Sequence, residues 1–359
     1  MFHKNPKLVK WFRNELPYDP INVLYHGYHA PIRYELYKNF LLFEHDDAAL
    51  LETEEDVKKS IRRINLLLTL ERILNNIEKF EEDRQEEMIL KITSMIKELN
   101  FYNCNRKMTA IENSLILIIK FQKEDGSFPV SLAGNAFIAE TLLEFGLSNN
   151  LYLEKNLKWL LKQQNDDKGW GTTKDGHSDV WLTTKILHVF SYCIKYFKST
   201  KIRKAVEFLL DHLFVENRGG IIEGKIAWEV LSKDYMFEGS FAGGVLAVLE
   251  VCARLNISVE NPHISEMLNW LKSKQLQSGH WPSQTYDAFD KRSDERVTMR
   301  VVRVLKLFYL MPQGGSGTIK SFKIKQDGRT NSKKPAFITD PENNPKPELI
   351  EKNKNIDEE

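Results

Sequence analysis

Hydrophobic residues recur at helical spacing over most of this chain, from about Glu54 to Leu310. Ile61, Ile64 and Leu68, for example, fall on one face of a helix, and comparable apolar stripes follow along the chain. Three- and four-residue spacing of this kind is typical of amphipathic helices. The alternating pattern of a half-buried strand does not occur over any convincing length. The pattern therefore predicts an all-α fold.

Both ends of the chain differ from its centre. Residues 1–53 are rich in aromatic side chains, and Pro17, Pro20 and Pro31 exclude one long helix there. After Met311 the sequence becomes rich in glycine, lysine, asparagine and proline, with too few apolar residues to offset the entropy of ordering. We therefore predict an N-terminal segment (1–53) that packs on the body, a helical domain (54–311), and a mostly disordered polar tail (312–359).

A short motif recurs between the predicted helices. In each copy a glutamine is followed six residues later by an aromatic residue, and the turn between them contains glycine. The three clear copies pair Gln122 with Phe128, Gln164 with Trp170, and Gln275 with Trp281, and a degenerate copy is expected at 216–221. Glycine permits a tight turn, the aromatic ring covers helix ends, and the amide can bond backbone groups of the next unit. Such repeats predict helical pairs that stack to bury one another's apolar faces.

These copies resemble the QW repeats of squalene-hopene cyclases and related terpenoid cyclases, and also the repeats of protein prenyltransferase β subunits. The resemblance covers roughly Ile111 to Leu310. It implies an (α/α) toroid, a barrel of inner and outer helices, and an isoprenoid as substrate or ligand. The function expected from it is that of a terpenoid cyclase-like enzyme, an isomerase or lyase of the class II type. Such an enzyme starts cyclisation of a prenyl substrate by protonating it inside an aromatic cavity.

Two other functions stay open at this point. The repeat residues are structural, so they suit equally a non-catalytic toroid that binds an isoprenoid or a protein partner. A prenyltransferase β-like function is the third, but the Asp-x-Cys zinc ligands of that family are missing here. Cys193 and Cys252 lie in apolar helical stretches and are expected to be packed thiols. No metal site or cofactor is predicted, and Mg²⁺ is expected only with a diphosphate substrate.

Class II cyclases, by the same resemblance, donate the proton from an Asp-x-Asp-Asp motif. The nearest match is Glu44-His45-Asp46-Asp47, which departs from the motif at the first acid. Asp46 is accordingly the candidate proton donor, with Asp47 beside it, because adjacent like charges help one carboxyl to keep its proton. An acidic helix start before Leu50 explains the same residues without chemistry.

Asp179 and Asp294 form a second candidate catalytic set, with His177 and Glu295 next to them. Each follows a repeat turn at the predicted start of a helix. In a toroid these starts face one mouth of the cavity, which would bring acids from different units together. The alternative is that these acids only cap their helices and interact with the helix dipole.

Four residues are predicted to contact the substrate: Trp181, Glu238, Phe241 and Tyr286. Aromatic faces stabilise cations, and the small residues around Gly243 leave room near Glu238. Most other aromatic residues are expected to belong to the core.

Composition narrows the choice of partners and compartment. The chain has 51 basic and 50 acidic residues and a net charge of +1, so nothing indicates binding to nucleic acid. Its 3 cysteines are widely spaced, which argues against a disulfide framework and favours a reducing, cytoplasmic location. No signal peptide and no transmembrane segment are predicted, because no apolar run approaches about 18 residues. The oligomeric state is not indicated.

Overall fold

The computed structural model describes residues 5–76, 84–173, 176–213, 226–229, 231, 244–282 and 295–311. Within these ranges the chain is helical and contains no strand, which confirms the predicted all-α class. The degenerate repeat at 216–221 and the predicted tail at 312–359 lie outside the described residues.

The helices follow one another with short connections. A π-helical turn (Leu36–Phe40) extends α3, and a 3₁₀ turn (Ile194–Tyr196) follows α10. The α-helices are α1 (Pro6–Glu15), α2 (Pro20–Tyr25), α3 (Ala30–Glu35), α4 (Ala48–Lys59), α5 (Ile61–Asn75), α6 (Gln85–Phe101), α7 (Thr109–Lys120), α8 (Leu132–Glu144), α9 (Leu151–Lys162), α10 (Val180–Ser191), α11 (Thr200–Asp211), α12 (Ile226–Glu229), α13 (Val245–Arg254), α14 (Pro262–Ser273) and α15 (Glu295–Tyr309).

Local sequence signals define many of these boundaries. Short polar side chains accept N–H groups of the first turn at the starts of several helices; they are Asn5, Asp19, Asp47, Ser131, Asn150, Asp179 and Asn261. Three helices end on a residue with positive φ: Asn103 after α6, Gly146 after α8 and Asn256 after α13. The next N–H then bonds back into the last turn, as Leu147 does to the Leu142 carbonyl at 3.0 Å.

Helices that are two or three apart in sequence pack against each other. Helix α8 contacts α6 and α10, α10 contacts α13, and α13 contacts α15. The intervening helices α9, α11 and α14 pack against α8, α10 and α13 respectively. Helix α15 then contacts α2 and α3, so the last described helix lies beside the start of the chain.

The three sequence repeats form turns with the same hydrogen bonds. In each, the glutamine amide donates to the carbonyl four residues later and to a second carbonyl in the segment packed beside it. The acceptors are Gly126 and Tyr152 for Gln122, Lys168 and Lys201 for Gln164, and Gly279 and Tyr18 for Gln275, all at 2.8–3.0 Å. Tyr152 and Lys201 lie in the first turns of α9 and α11. The glutamine therefore reaches the next helix, as predicted, and in the third copy it reaches the N-terminal segment.

The aromatic residues of the repeats are buried. Trp170 and Trp281 donate their indole N–H groups to the carbonyls of Leu160 at 2.8 Å and Leu271 at 2.7 Å. Phe128 occupies the same place in the first copy without such a donor. Burial of a large ring together with its polar atom fixes each turn against the helix before it.

The turn glycine of the second copy differs from the expectation. The residue with positive φ is Gly126 in the first copy and Gly279 in the third, but Lys168 in the second (79°). Gly169 is required for a different reason, because a Cβ there would lie 2.5 Å from the Ser178 Cβ. Close approach, and not backbone conformation, therefore explains this glycine.

The N-terminal segment is joined to α15 along its length. The Trp11 ring stacks on Tyr309 with centroids 4.9 Å apart. Glu295 accepts the backbone N–H groups of Tyr28 at 2.8 Å and His29 at 3.1 Å. Helix α4 begins within the predicted segment 1–53 and runs beyond it.

Candidate functional site

Six helices, α3, α6, α8, α10, α13 and α15, contribute to the lining of a cavity of about 90 Å³ that is partly open to solvent. Most of the lining side chains carry charge or hydrogen-bonding groups. They are Ile32, Glu35, Lys97, Phe101, Glu140, Glu144, His188, Tyr192, Glu250, Arg296, Met299, Arg300 and Arg303. The cavity lies along the middle and C-terminal parts of α6, α8 and α10, away from the repeat turns.

One wall of the cavity is an ion-pair cluster between α6 and α8. The Lys97 ammonium lies 2.7 Å from Glu140 Oε1 and 3.0 Å from Glu144 Oε1. The side chains of Lys97 and Glu140 are only 9% and 2% exposed. Glu140 and Glu144 are one turn apart on α8, so they present their carboxyl groups to the same cation.

The His188 imidazole lies between two buried carboxylates. Its Nδ1 is 3.3 Å from Glu140 Oε1, and its Nε2 is 3.6 Å from Glu250 Oε1. Helix α10 thereby connects the carboxylate of α8 with that of α13. All three side chains are buried.

The opposite wall, formed by α13 and α15, is rich in arginine. The Glu250 carboxylate lies 2.9 Å from Arg300 Nε and 3.2 Å from a terminal nitrogen of Arg254. Arg303 pairs with Glu35 of α3 at 2.5 Å. Arg296 lies over the Phe101 ring at 4.4 Å, where a guanidinium is attracted to the ring face.

The environment moves the carboxyl pKa values of α8 in opposite directions. Burial alone raises the pKa of Glu140, but Lys97 and then His188 outweigh it and bring the pKa to about 2. Burial raises the pKa of Glu144, and the Glu140 charge adds to this, so that the Lys97 charge does not restore it. Titratable pairs with separated pKa values are a feature of functional sites.

The central histidine and the far carboxylate respond to each other. Burial lowers the pKa of His188, yet Glu140 and Glu250 raise it above its usual value. Burial raises the pKa of Glu250, but Arg300 and His188 hold it well below the usual range.

One carboxylate oxygen in this network has no hydrogen-bond partner among the described residues. It is Glu140 Oε2, which is buried on the cavity wall, while Oε1 of the same group faces Lys97 and His188. An unsatisfied buried acceptor costs about 1–3 kcal/mol, so its retention calls for a functional reason. Glu140 Oε2 is therefore placed to accept a hydrogen bond from a molecule in the cavity.

None of the described residues that the sequence put forward as catalytic lines this cavity. Asp46 is exposed in a turn before α4. Asp47 caps α4 by accepting the Ala49 N–H at 3.1 Å. Asp179 caps α10 by accepting the Leu182 N–H at 2.6 Å. The capping role proposed as the alternative is thus observed for Asp47 and Asp179.

Of the predicted substrate contacts, one can be located. Trp181 is buried against Trp228 with ring centroids 4.9 Å apart and does not line the cavity. The others, Glu238, Phe241 and Tyr286, lie outside the described residues, as does Asp294. In the part of the chain that is described, no group of three or more His, Cys, Asp or Glu side chains is arranged to hold a metal ion.

Glu140, His188 and Glu250 were not identified from the sequence. The available signal was the presence of isolated charged residues in helices that are otherwise apolar on every face, as in Val245–Arg254.

No protein-family model matches this chain, and no curated protein matches it either. Among the described residues, no helix combines the length and the apolar character needed to cross a bilayer.

Proposed function

We propose that the chain folds into a toroid of inner and outer α-helices. The order of contacts supports this: α6, α8, α10, α13 and α15 pack in succession, with α9, α11 and α14 each against one of them. Contacts of α15 with α2 and α3, and the bond from Gln275 to Tyr18, would close the ring.

We propose further that the centre of this ring binds the head group of a small polar molecule. The observation that carries this proposal is Glu140 Oε2, a buried acceptor without a donor on the wall of an accessible cavity. The surrounding ion pairs support it, because buried charges contribute little net stability and would be replaceable by apolar residues. Their presence at the centre is better explained by a ligand.

The size of the cavity limits the ligand. A protein cavity of about 150 Å³ accommodates benzene, so about 90 Å³ suits a group of about five non-hydrogen atoms. Sites for larger ligands occupy about 300–1,000 Å³ and are mostly apolar. A polar head group whose remainder extends through the opening therefore fits better than an enclosed prenyl chain.

The test is binding of small compounds by isothermal titration calorimetry and ligand-observed NMR. Suitable probes are acetamide, glycerol, methylammonium, glycolate and acetate, with geranyl diphosphate for comparison. The limit of about 1.5 kcal/mol per non-hydrogen atom means that concentrations must extend into the millimolar range. We expect saturable binding of at least one small probe, weakened at least tenfold by Glu140→Gln and unchanged by Asp46→Asn, an exposed acid outside the cavity. Absence of any such binding, or equal effects of the two variants, would contradict the proposal.

The terpenoid cyclase predicted from the sequence is the second candidate. One observation favours it: Glu144 lines the cavity with a raised pKa, as required of a proton donor. Incubation with prenyl diphosphates and squalene of graded length, followed by mass spectrometry, tests it. A cyclised product that Glu144→Gln abolishes would support the cyclase, and absence of product across the series would count against it. Zinc found by elemental analysis would instead favour the prenyltransferase-like alternative.

A further inference from the structure

We infer that the ligand of the central cavity is a small anion that also carries a hydroxyl group, such as the head group of a hydroxy-carboxylate. Its anionic group would face the arginines of α13 and α15, and its hydroxyl would donate to Glu140 Oε2. This inference rests on the proposed small-molecule site and specifies the chemistry of that site.

The arginine wall has the charge that an anion requires. A single carboxylate, Glu250, is shared by Arg300 at 2.9 Å, Arg254 at 3.2 Å and His188 at 3.6 Å. Three groups able to carry positive charge therefore surround one negative charge. The Arg254 Nε is buried without a hydrogen-bond partner among the described residues, so even this carboxylate does not use all the donors around it.

Arg303 is the arginine best placed to meet an entering ligand. Its side chain is 31% exposed, compared with 5% for Arg300, and its described hydrogen bond goes to Glu35. A guanidinium has five N–H donors in a planar fork that matches carboxylate and phosphate oxygens. Arg303 can thus hold Glu35 with one edge and offer further donors to an anion.

The opposite wall calls for a neutral donor. Glu140 already faces Lys97 at 2.7 Å and His188 at 3.3 Å, so its negative charge is balanced by neighbouring cations. A ligand ammonium at Oε2 would add another positive charge beside these two groups, whereas a hydroxyl satisfies the acceptor without that repulsion. The raised pKa values of His188 and Glu144 strengthen the positive balance of the cavity near neutral pH.

Size and charge together define the class of head group. A hydroxyl and a carboxylate on neighbouring carbons make up about five non-hydrogen atoms, the number that the cavity volume allows. Glycolate is the smallest molecule that contains both groups. Acetate lacks the hydroxyl, ethylene glycol lacks the charge, and glycine replaces the hydroxyl with an ammonium group, so these four probes separate the contributions.

Titration calorimetry of the full-length protein at neutral pH and low salt, with these four probes, tests the inference. We expect glycolate to bind at least tenfold more tightly than acetate, ethylene glycol or glycine. Glu140→Gln should remove most of the advantage of glycolate over acetate, because a charge-assisted hydrogen bond becomes a neutral one. Arg303→Gln should weaken glycolate and acetate alike. The matched control is Arg106→Gln, since Arg106 is similarly exposed at 32% and pairs with Glu112 away from the cavity, and it should change neither affinity.

The outcomes distinguish this inference from the proposal beneath it. Equal affinity for acetate and glycolate, or tighter binding of glycine, would overturn the inference. Binding of acetamide or methylammonium in preference to glycolate would overturn it while leaving a small polar ligand in the site. No binding of any probe would remove the small-molecule site itself. If Glu140→Gln fails to fold, the ranking of the four probes on the wild type and on Arg303→Gln decides the matter.

Discussion

Replacing Lys97 with methionine should destabilise the protein strongly. Methionine retains the apolar stem of lysine but removes the ammonium that lies 2.7 Å from Glu140 and 3.0 Å from Glu144. Removing one partner of a buried ion pair costs about 3–5 kcal/mol, because the other charge is left uncompensated. The pKa of Glu140 gives a similar figure. Its reduction from 4.5 to about 2 corresponds to about 3 kcal/mol, and Lys97 is the larger of the two groups that lower it.

The effect should depend on pH in a defined direction. Glu140 has a folded-state pKa below that of an ordinary carboxyl. It therefore stabilises the native state above pH 4.5, and this contribution is lost as the pH falls towards about 2. Without Lys97, burial favours the protonated carboxyl, and the variant pays for the buried charge only at higher pH. The difference between wild type and Lys97→Met should be largest near neutral pH and shrink below pH 4.5.

Urea denaturation followed by far-UV circular dichroism measures both effects. Lys91→Met is the matched control, since Lys91 lies on the same helix but is exposed, and it should change the free energy of unfolding by no more than about 0.5 kcal/mol. The double variant Lys97→Met/Glu140→Gln should recover part of the loss, because the two residues interact directly. A loss below about 1 kcal/mol for Lys97→Met, or an equal loss at acid and neutral pH, would refute this description of the cluster.

Three further predictions concern the repeat turns and the cysteines. Trp281→Phe should cost about 1–3 kcal/mol, because it leaves the Leu271 carbonyl without its indole donor; an unchanged thermal unfolding midpoint would contradict this. Lys168→Gly should stabilise the protein by up to about 1 kcal/mol by relieving a left-handed backbone at φ 79°, and a lower midpoint would argue against that strain. Burial raises the pKa of the Cys252 thiol to about 12, so alkylation by iodoacetamide, followed by mass spectrometry, should require unfolding; rapid labelling of the native protein would be inconsistent with this.

The repeat turns were accessible from the sequence because their chemistry is local. A glutamine, a tight turn and an aromatic residue at fixed spacing define the bonds from Gln122 to Gly126 and from Trp170 to Leu160. The partner of the third copy was not predictable in this way. Tyr18 is 257 residues from Gln275, and only the packing of α15 beside the first helices brings them together.

The acids at helix starts misdirected attention for a physical reason. An aspartate before a helix is favoured by capping and by the helix dipole, whether or not it has a chemical role. Asp47 and Asp179 are accounted for by their bonds to Ala49 and Leu182. Residue type and position at a helix start therefore carry little information about function in a protein built from many helices.

The charged residues that do meet at the centre occur where a helix has no solvent-exposed face. Nearly every residue of α8, α10 and α13 is buried, so a charge in these helices cannot be attributed to a solvated surface. Leucine at Glu140 or Glu250 would avoid a desolvation penalty of several kcal/mol for each ion. The fold gains nothing from these charges that an apolar residue could not supply more cheaply. Glu140, His188 and Glu250 come from three different helices and still lie within ion-pairing distance of one another. Their convergence on one cavity, with Glu140 Oε2 still lacking a donor in the described protein, is what locates the functional site at the centre of the helices.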